Sequence, residues 1–154
     1  YNVLNECKNV SKLIQVGIRD YSKEESQRMI NLGDKGDCLY DTAMQAQIAT
    51  GKSLEEVFTP YIEQLPKNVY ISIDIDGLEP LNCPNTGTPV PGGLRYGELD
   101  HLIFMVVKSG RKIIGFDLVE VGDSKNGWDA NVGSRVLYNL CGALLASQGK
   151  IEYR

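Results

Sequence analysis

The sequence predicts an α/β fold: a three-layer αβα arrangement around a mainly parallel sheet. Three observations carry that expectation. Short segments rich in β-branched and apolar residues stand at 13–19, 68–75 and 112–121, without the strict polar alternation of a strand that has one wet face. Segments with helical length and helix start or stop signals separate them. Strand followed by helix, repeated, calls for parallel pairing with right-handed crossovers, because parallel neighbours need a long connection across a sheet face.

In order, residues 2–12 read as a helix and "LIQVGIR" as the first buried strand. Ser22 and Glu25 have the spacing of a capping box ahead of "SQRMINL". "LGDKGD" reads as a loop, and "YDTAMQAQIATG" as a short helix stopped by Gly51. Ser53 and Glu56 repeat the capping box, and the helix they open meets Pro60, where a kink or a restart at Thr59 is expected. "NVYISIDI" is the clearest strand, and a long loop follows. Helices are expected over 96–110 and 128–148, with the strand "KIIGFDLVEV" between them.

The 154 residues fit one domain, with 42% hydrophobic residues for a core and 23% charged ones for a soluble surface. A net charge of -4 and no run of Lys or Arg give no basis for nucleic-acid or anionic-membrane partners. No apolar stretch is long enough to span a bilayer and no signal peptide is visible, so a cytoplasmic location is expected. Cys7, Cys38, Cys83 and Cys141 are scattered, with no Cys-x-x-Cys pair and one histidine, and read as reduced thiols.

Chemistry is expected where ligands bind open parallel sheets, beyond the carboxyl ends of the strands. Asp74 and Asp76 stand there two residues apart, which in a strand places both side chains on one face, about 7 Å apart along the chain. Two ionised carboxylates in a crevice repel each other unless a cation lies between them, and a divalent metal is the simplest such cation. The plainer alternative is that both cap backbone amides. Residues 77–94 favour a site: the segment is long, irregular and stiffened by Pro80, Pro84, Pro89 and Pro91. On the later strand Asp117 and Glu120 are three apart, so in a regular strand they point to opposite faces and only one can easily aim at the crevice, with Glu120 nearer the strand end. Asp123 and Asp129 read as loop and helix-cap groups.

The stretch "SIDIDGLEPLNCPNTGTPVPGGL" resembles the second metal-binding signature of the ureohydrolases, the arginases and agmatinases: S-x-D-x-D-x-x-D-P, then P-x-T-G-T-P and G-G. "GFDLVEV" and "QVGIRD" resemble two further strands of that family, in the same order, so the resemblance covers nearly the whole chain. It implies an arginase-like fold, present in part, with Asp74 and Asp76 as ligands of a binuclear Mn²⁺ centre. It implies Thr88 as an active-site lining residue and Glu120 as the carboxylate that holds the substrate's guanidinium. A hydroxide bridging the two metals would attack the guanidinium carbon, releasing urea and an amine.

The family's G-G-D-H and D-A-H-x-D segments and a further catalytic histidine have no counterpart here, and His101 sits in a helix pattern. The expectation is therefore that residues 1–154 are the C-terminal portion of a ureohydrolase domain, with two of six metal ligands and weak metal binding of its own. Glu79 stands where the family has a third aspartate, a loop-capping position. Ser22 stands where arginases have an acid that reaches the substrate's α-ammonium. An agmatinase-like substrate is thus expected over free arginine, with arginase or formiminoglutamase specificity as alternatives. A noncatalytic scaffold or oligomer subunit is the competing reading. A Mg²⁺ phosphotransferase is disfavoured because no glycine-rich phosphate loop is present. The resemblance further implies a small guanidino substrate and a homo-oligomer, trimer or hexamer.

Overall fold

A computed structural model describes residues 2–123 and 125–152. After a short helix α1 (Asn2–Glu6) come β1 (Leu13–Ile18), α2 (Lys23–Asn31), β2 (Gly36–Tyr40), α3 (Asp41–Ala49) and α4 (Leu54–Ile62). Then follow β3 (Asn68–Asp74), α5 (Tyr96–Lys108), β4 (Lys112–Val119) and α6 (Trp128–Ser147). All observed pairing is parallel: β1 with β2, and β3 with β4. No ladder joins the two pairs among the described residues. Their carboxyl ends lie together nonetheless, because Arg19, just past β1, reaches the carbonyls of Asp76 and Leu78, just past β3.

The apolar residues explain the layering. Val69 and Ile73 of β3 and Ile113 of β4 are buried, as are Phe58 and Ile62 of α4, Ile103 of α5, and Val136 and Leu140 of α6. Apart from Val69, these belong to one cluster that also takes in Leu39 of β2 and Met44 of α3. The opposite face of β3 is open, with Tyr70 58% exposed. Across that face Ser72 Oγ donates to Asp117 Oδ1 at 2.8 Å. Asp117 therefore belongs to a polar row on the sheet face and not to the crevice.

Three expectations need correction. The loop read over "LGDKGD" is a 3₁₀ turn, Gly33–Lys35, followed by strand β2, which the sequence reading missed. Only three apolar residues in a row, Cys38 to Tyr40, mark that strand, and its edge exists because β1 lies beside it in register from Leu13 opposite Gly36. Helix α1 stops at Glu6 instead of running to residue 12. Of the two outcomes expected at Pro60, the restart at Thr59 does not occur: α4 runs as one helix to Ile62, with the Glu63 N–H on the Thr59 carbonyl at 2.9 Å. The buried Val57, Phe58 and Ile62 hold this face to the core on both sides of the proline.

Both capping boxes form. Ser22 Oγ accepts from Glu25 N at 3.1 Å and Glu25 Oε2 from Ser22 N at 2.7 Å, while Ser53 and Glu56 do the same at 3.2 and 2.8 Å. The Ser53 backbone, then its hydroxyl, lowers the Glu56 carboxyl below its ordinary value. That contribution is therefore present at neutral pH and lost as pH falls through the lowered value. By equilibrium denaturation, Ser53→Ala is expected to cost about 1 kcal/mol at pH 7. Phe58→Ala, which empties a fully buried site, is expected to cost about 3–5 kcal/mol.

Candidate metal and substrate site

Strand β3 ends on Asp74, and its register with β4 puts Asp74 opposite Val119. Both strands therefore stop at one level, and Asp74, Asp76 and Glu120 arrive together. Asp76 is not in the strand as its two-residue spacing suggested. It lies in a 3₁₀ turn, Ile75–Gly77, whose amino end Asp74 caps by accepting from Asp76 N at 3.1 Å. Asp74 thus does what the plainer alternative proposed and still turns its carboxylate into the cluster. Glu120 lies past the end of β4, with φ of 61°, a left-handed conformation that side-chain-bearing residues rarely adopt. A three-residue spacing in a regular strand is therefore the wrong frame for it.

Burial and neighbouring charge both act on Asp74. Partial burial, foremost, raises the Asp74 carboxyl above its ordinary value of 3.8, and the nearby charges of Asp76 and Glu120 add to this, while the Asp76 backbone N–H pulls the other way. Thr88 Oγ1 donates to Asp76 Oδ2 at 3.0 Å. A Cβ on Gly87 would stand 3.0 Å from Glu120 Oε2, so the loop backbone passes close against that carboxylate. All four residues expected at the site, Asp74, Asp76, Thr88 and Glu120, are brought to one edge.

The 77–94 segment is a tied loop. Leu78 bridges Leu94, with Glu79 N on Leu94 O and Leu94 N on Gly77 O, both at 2.9 Å. The Arg19 guanidinium donates to the carbonyls of Asp76 at 2.6 Å, Leu78 at 3.3 Å and Val90 at 2.9 Å, stapling both arms. Gly93 has φ of 98°, and any Cβ there would press on the Gly77 and Leu78 backbone. Glu79 does not cap the loop with its side chain: its carboxylate stands 3.9 Å from Arg95 Nε. Asp129 does not cap α6 either. The Asn126 side chain accepts from Trp128 N at 3.1 Å, while Asp129, fully buried, accepts from Asn85 N and Asn85 Nδ2, both at 2.9 Å. Its place in "WDAN" resembles an ordinary cap, so only the tertiary contact with Asn85 reveals it.

Between β1 and β3 runs a groove of about 680 Å³, lined along its length by residues such as Val16 and Ile71 and ending at Arg19, Asp74, Asp76 and Thr88. Hard carboxylate oxygens are the donors that Mg²⁺ and Mn²⁺ take. Among the described residues, however, no three His, Cys, Asp or Glu side chains are placed to hold a metal ion. The donors present fit a divalent metal in kind and fall short in number. His101 lies away from this edge, on α5, with its Nε2 2.9 Å from Glu55 Oε1.

A parallel α/β protein with converging carboxylates at the carboxyl edge of its strands is the class that fold and site define. The chain belongs to the arginase family, whose family model matches residues 2–142. It is 32% identical over 119 residues to arginase-1 of Sus scrofa, a match covering 77% of this chain and 35% of that protein. It is 39% identical over 90 residues to an N(1)-aminopropylagmatine ureohydrolase of Thermococcus kodakarensis, covering 58% of this chain and 31% of the relative. The solved arginase of Bacillus caldovelox superposes with a TM-score of 0.66 at 26% identity, covering 94% of this chain and 44% of that one. The fold is thus arginase-like and partial, and the chain spans about a third of the length of the arginase-1 it matches. No helix among the described residues is long and apolar enough to cross a membrane.

Because Asp74 is raised in the folded state, its ionisation costs stability above that raised value and costs nothing once pH falls below its ordinary 3.8. Asp74→Asn keeps an oxygen for the Asp76 amide and removes the charge. In metal-free protein it is expected to raise Tm at pH 7, with the gain fading as the scan is repeated toward pH 3.8.

Proposed function

We propose that this chain is the C-terminal portion of a manganese-dependent ureohydrolase that cleaves a guanidino compound to urea and an amine. The observation that supports it most is the placement of Asp74, Asp76 and Glu120 at the shared carboxyl end of β3 and β4. Asp74 and Asp76 would hold the metal, with the remaining ligands supplied from outside these residues. Bound Mn²⁺ would neutralise their repulsion and supply Lewis acidity toward water.

The chain's own residues do the rest. Glu120 pairs its two oxygens with the planar guanidinium, a cation whose fork geometry suits a carboxylate. The Gly87 backbone closes on Glu120 and limits its movement. Thr88 fixes the Asp76 carboxylate by donating to it, which leaves the second oxygen free. Water adds its oxygen to the guanidinium carbon, the C–N bond to the amine breaks, and both water protons end on the departing nitrogen, giving an alkylammonium and neutral urea.

An agmatinase-like substrate is favoured over arginine. Ser22 stands where an arginase-type acid would meet an α-ammonium, and its hydroxyl is already the acceptor for Glu25 N. The competing reading, a noncatalytic homologue, draws on the lack of a three-ligand group among the described residues.

Urea release by the complete polypeptide that carries this chain, loaded with Mn²⁺, separates the two. Agmatine and guanidinobutyrate are expected to yield urea faster than arginine, and no urea from any of them would establish the noncatalytic reading. Asp74→Asn and Asp76→Asn are each expected to abolish tight Mn²⁺ binding and turnover. Glu120→Ala is expected to lower kcat/KM by about 100-fold or more, the scale of removing one member of a charge pair, while Mn²⁺ affinity stays.

A further inference from the structure

We propose that Asp129 is a positioning residue for this site, acting through Asn85 on the loop that carries Gly87 and Thr88. The proposal rests on the ureohydrolase reading above. Asp129 stands in the first turn of α6 with none of its surface exposed, and a buried carboxylate is tolerated only where donors satisfy it. Two donors from one residue meet it: the backbone N–H and the side-chain Nδ2 of Asn85, each at 2.9 Å. Such a two-point grip fixes direction as well as distance. From the other side Gly122, two residues past Glu120, lies so close that a Cβ there would overlap the Asn85 carbonyl oxygen. Asn85 is therefore clamped between the start of α6 and the chain leaving β4.

What the clamp holds is functional. Two residues on, Gly87 backs the Glu120 carboxylate, and three residues on, Thr88 donates to Asp76 at 3.0 Å. Glu120 itself sits in a left-handed conformation that its surroundings must impose. One buried carboxylate thereby sets the separation between the group that pairs with guanidinium and the group bound by Thr88. Asp129 itself touches neither substrate nor metal.

A reciprocal exchange tests it in the complete Mn²⁺-loaded polypeptide. In Asn85→Asp a carboxylate faces a carboxylate and the grip breaks, whereas in Asp129→Asn the amide at 85 can turn over and accept from the amide at 129, so that change alone keeps both hydrogen bonds. With both changes together, the side-chain oxygen at position 129 again accepts from the backbone N–H at position 85, and the amide introduced at 129 donates to the carboxylate introduced at 85. Asn85→Asp alone is expected to lower kcat/KM for agmatine by about 100-fold, the scale of a misplacement near 1 Å, and Asp129→Asn alone by far less. Mn²⁺ affinity should hold within about threefold, and the double change should recover most of the activity. An Asn85→Asp variant that loses Tm but keeps kcat/KM would overturn the proposal, as would a double variant that regains Tm without activity. If the unmodified protein releases no urea, the ureohydrolase reading fails and amide exchange at Gly87 and Thr88 decides the clamp. Faster exchange in Asn85→Asp, slowed again in the double, supports it. Exchange unchanged across the series overturns it.

Discussion

The parallel register of β3 on β4 is the constraint from which the site follows. Asp74 opposite Val119 means that both strands stop at the same level, so Asp74, Asp76 and Glu120 leave the sheet at one edge. Repulsion among Asp74, Asp76 and Glu120 is the cost, and it adds to burial in raising the Asp74 carboxyl. A folded protein keeps such a cluster only if packing elsewhere over-determines it. Here that packing is the apolar cluster around Ile73, Ile75 and Ile113, which fixes the two strand ends from beneath.

The long loop is held to this edge by three unlike devices. A bridge between Leu78 and Leu94 closes its base. Arg19, whose guanidinium donates to three carbonyls, ties the end of β1 to both arms. The buried Asp129 grips Asn85 from the side of α6. Each device takes its anchor from a different part of the chain, so the loop's geometry reports the docking of β1, β3 and α6 together.

Much of this was legible in the sequence, and the parts that were not share a cause. Strands β1, β3 and β4 announce themselves through β-branched runs, and the two capping boxes through Ser and Glu three apart. Asp74, Asp76, Thr88 and Glu120 were legible as a set because one long motif and one strand ending carry them. Strand β2 was not, since its short apolar stretch becomes a strand only beside β1. Glu120 was placed by a strand periodicity that had already ended at Val119. Asp129 was read as a cap because local chemistry allows it, whereas its partner lies 44 residues away in sequence. Propensity and spacing describe neighbours along the chain, and these features depend on neighbours in space.

The proposed chemistry stands or falls on whether Asp74 and Asp76 are metal ligands. Anomalous diffraction from crystals of the complete Mn²⁺-loaded polypeptide, collected at the manganese edge, tests this most directly. The expected result is anomalous peaks bonded to the carboxylates of both Asp74 and Asp76, with Glu120 nearby and not coordinated. Peaks bound elsewhere, with Asp74 still engaged only by the Asp76 amide, would contradict it.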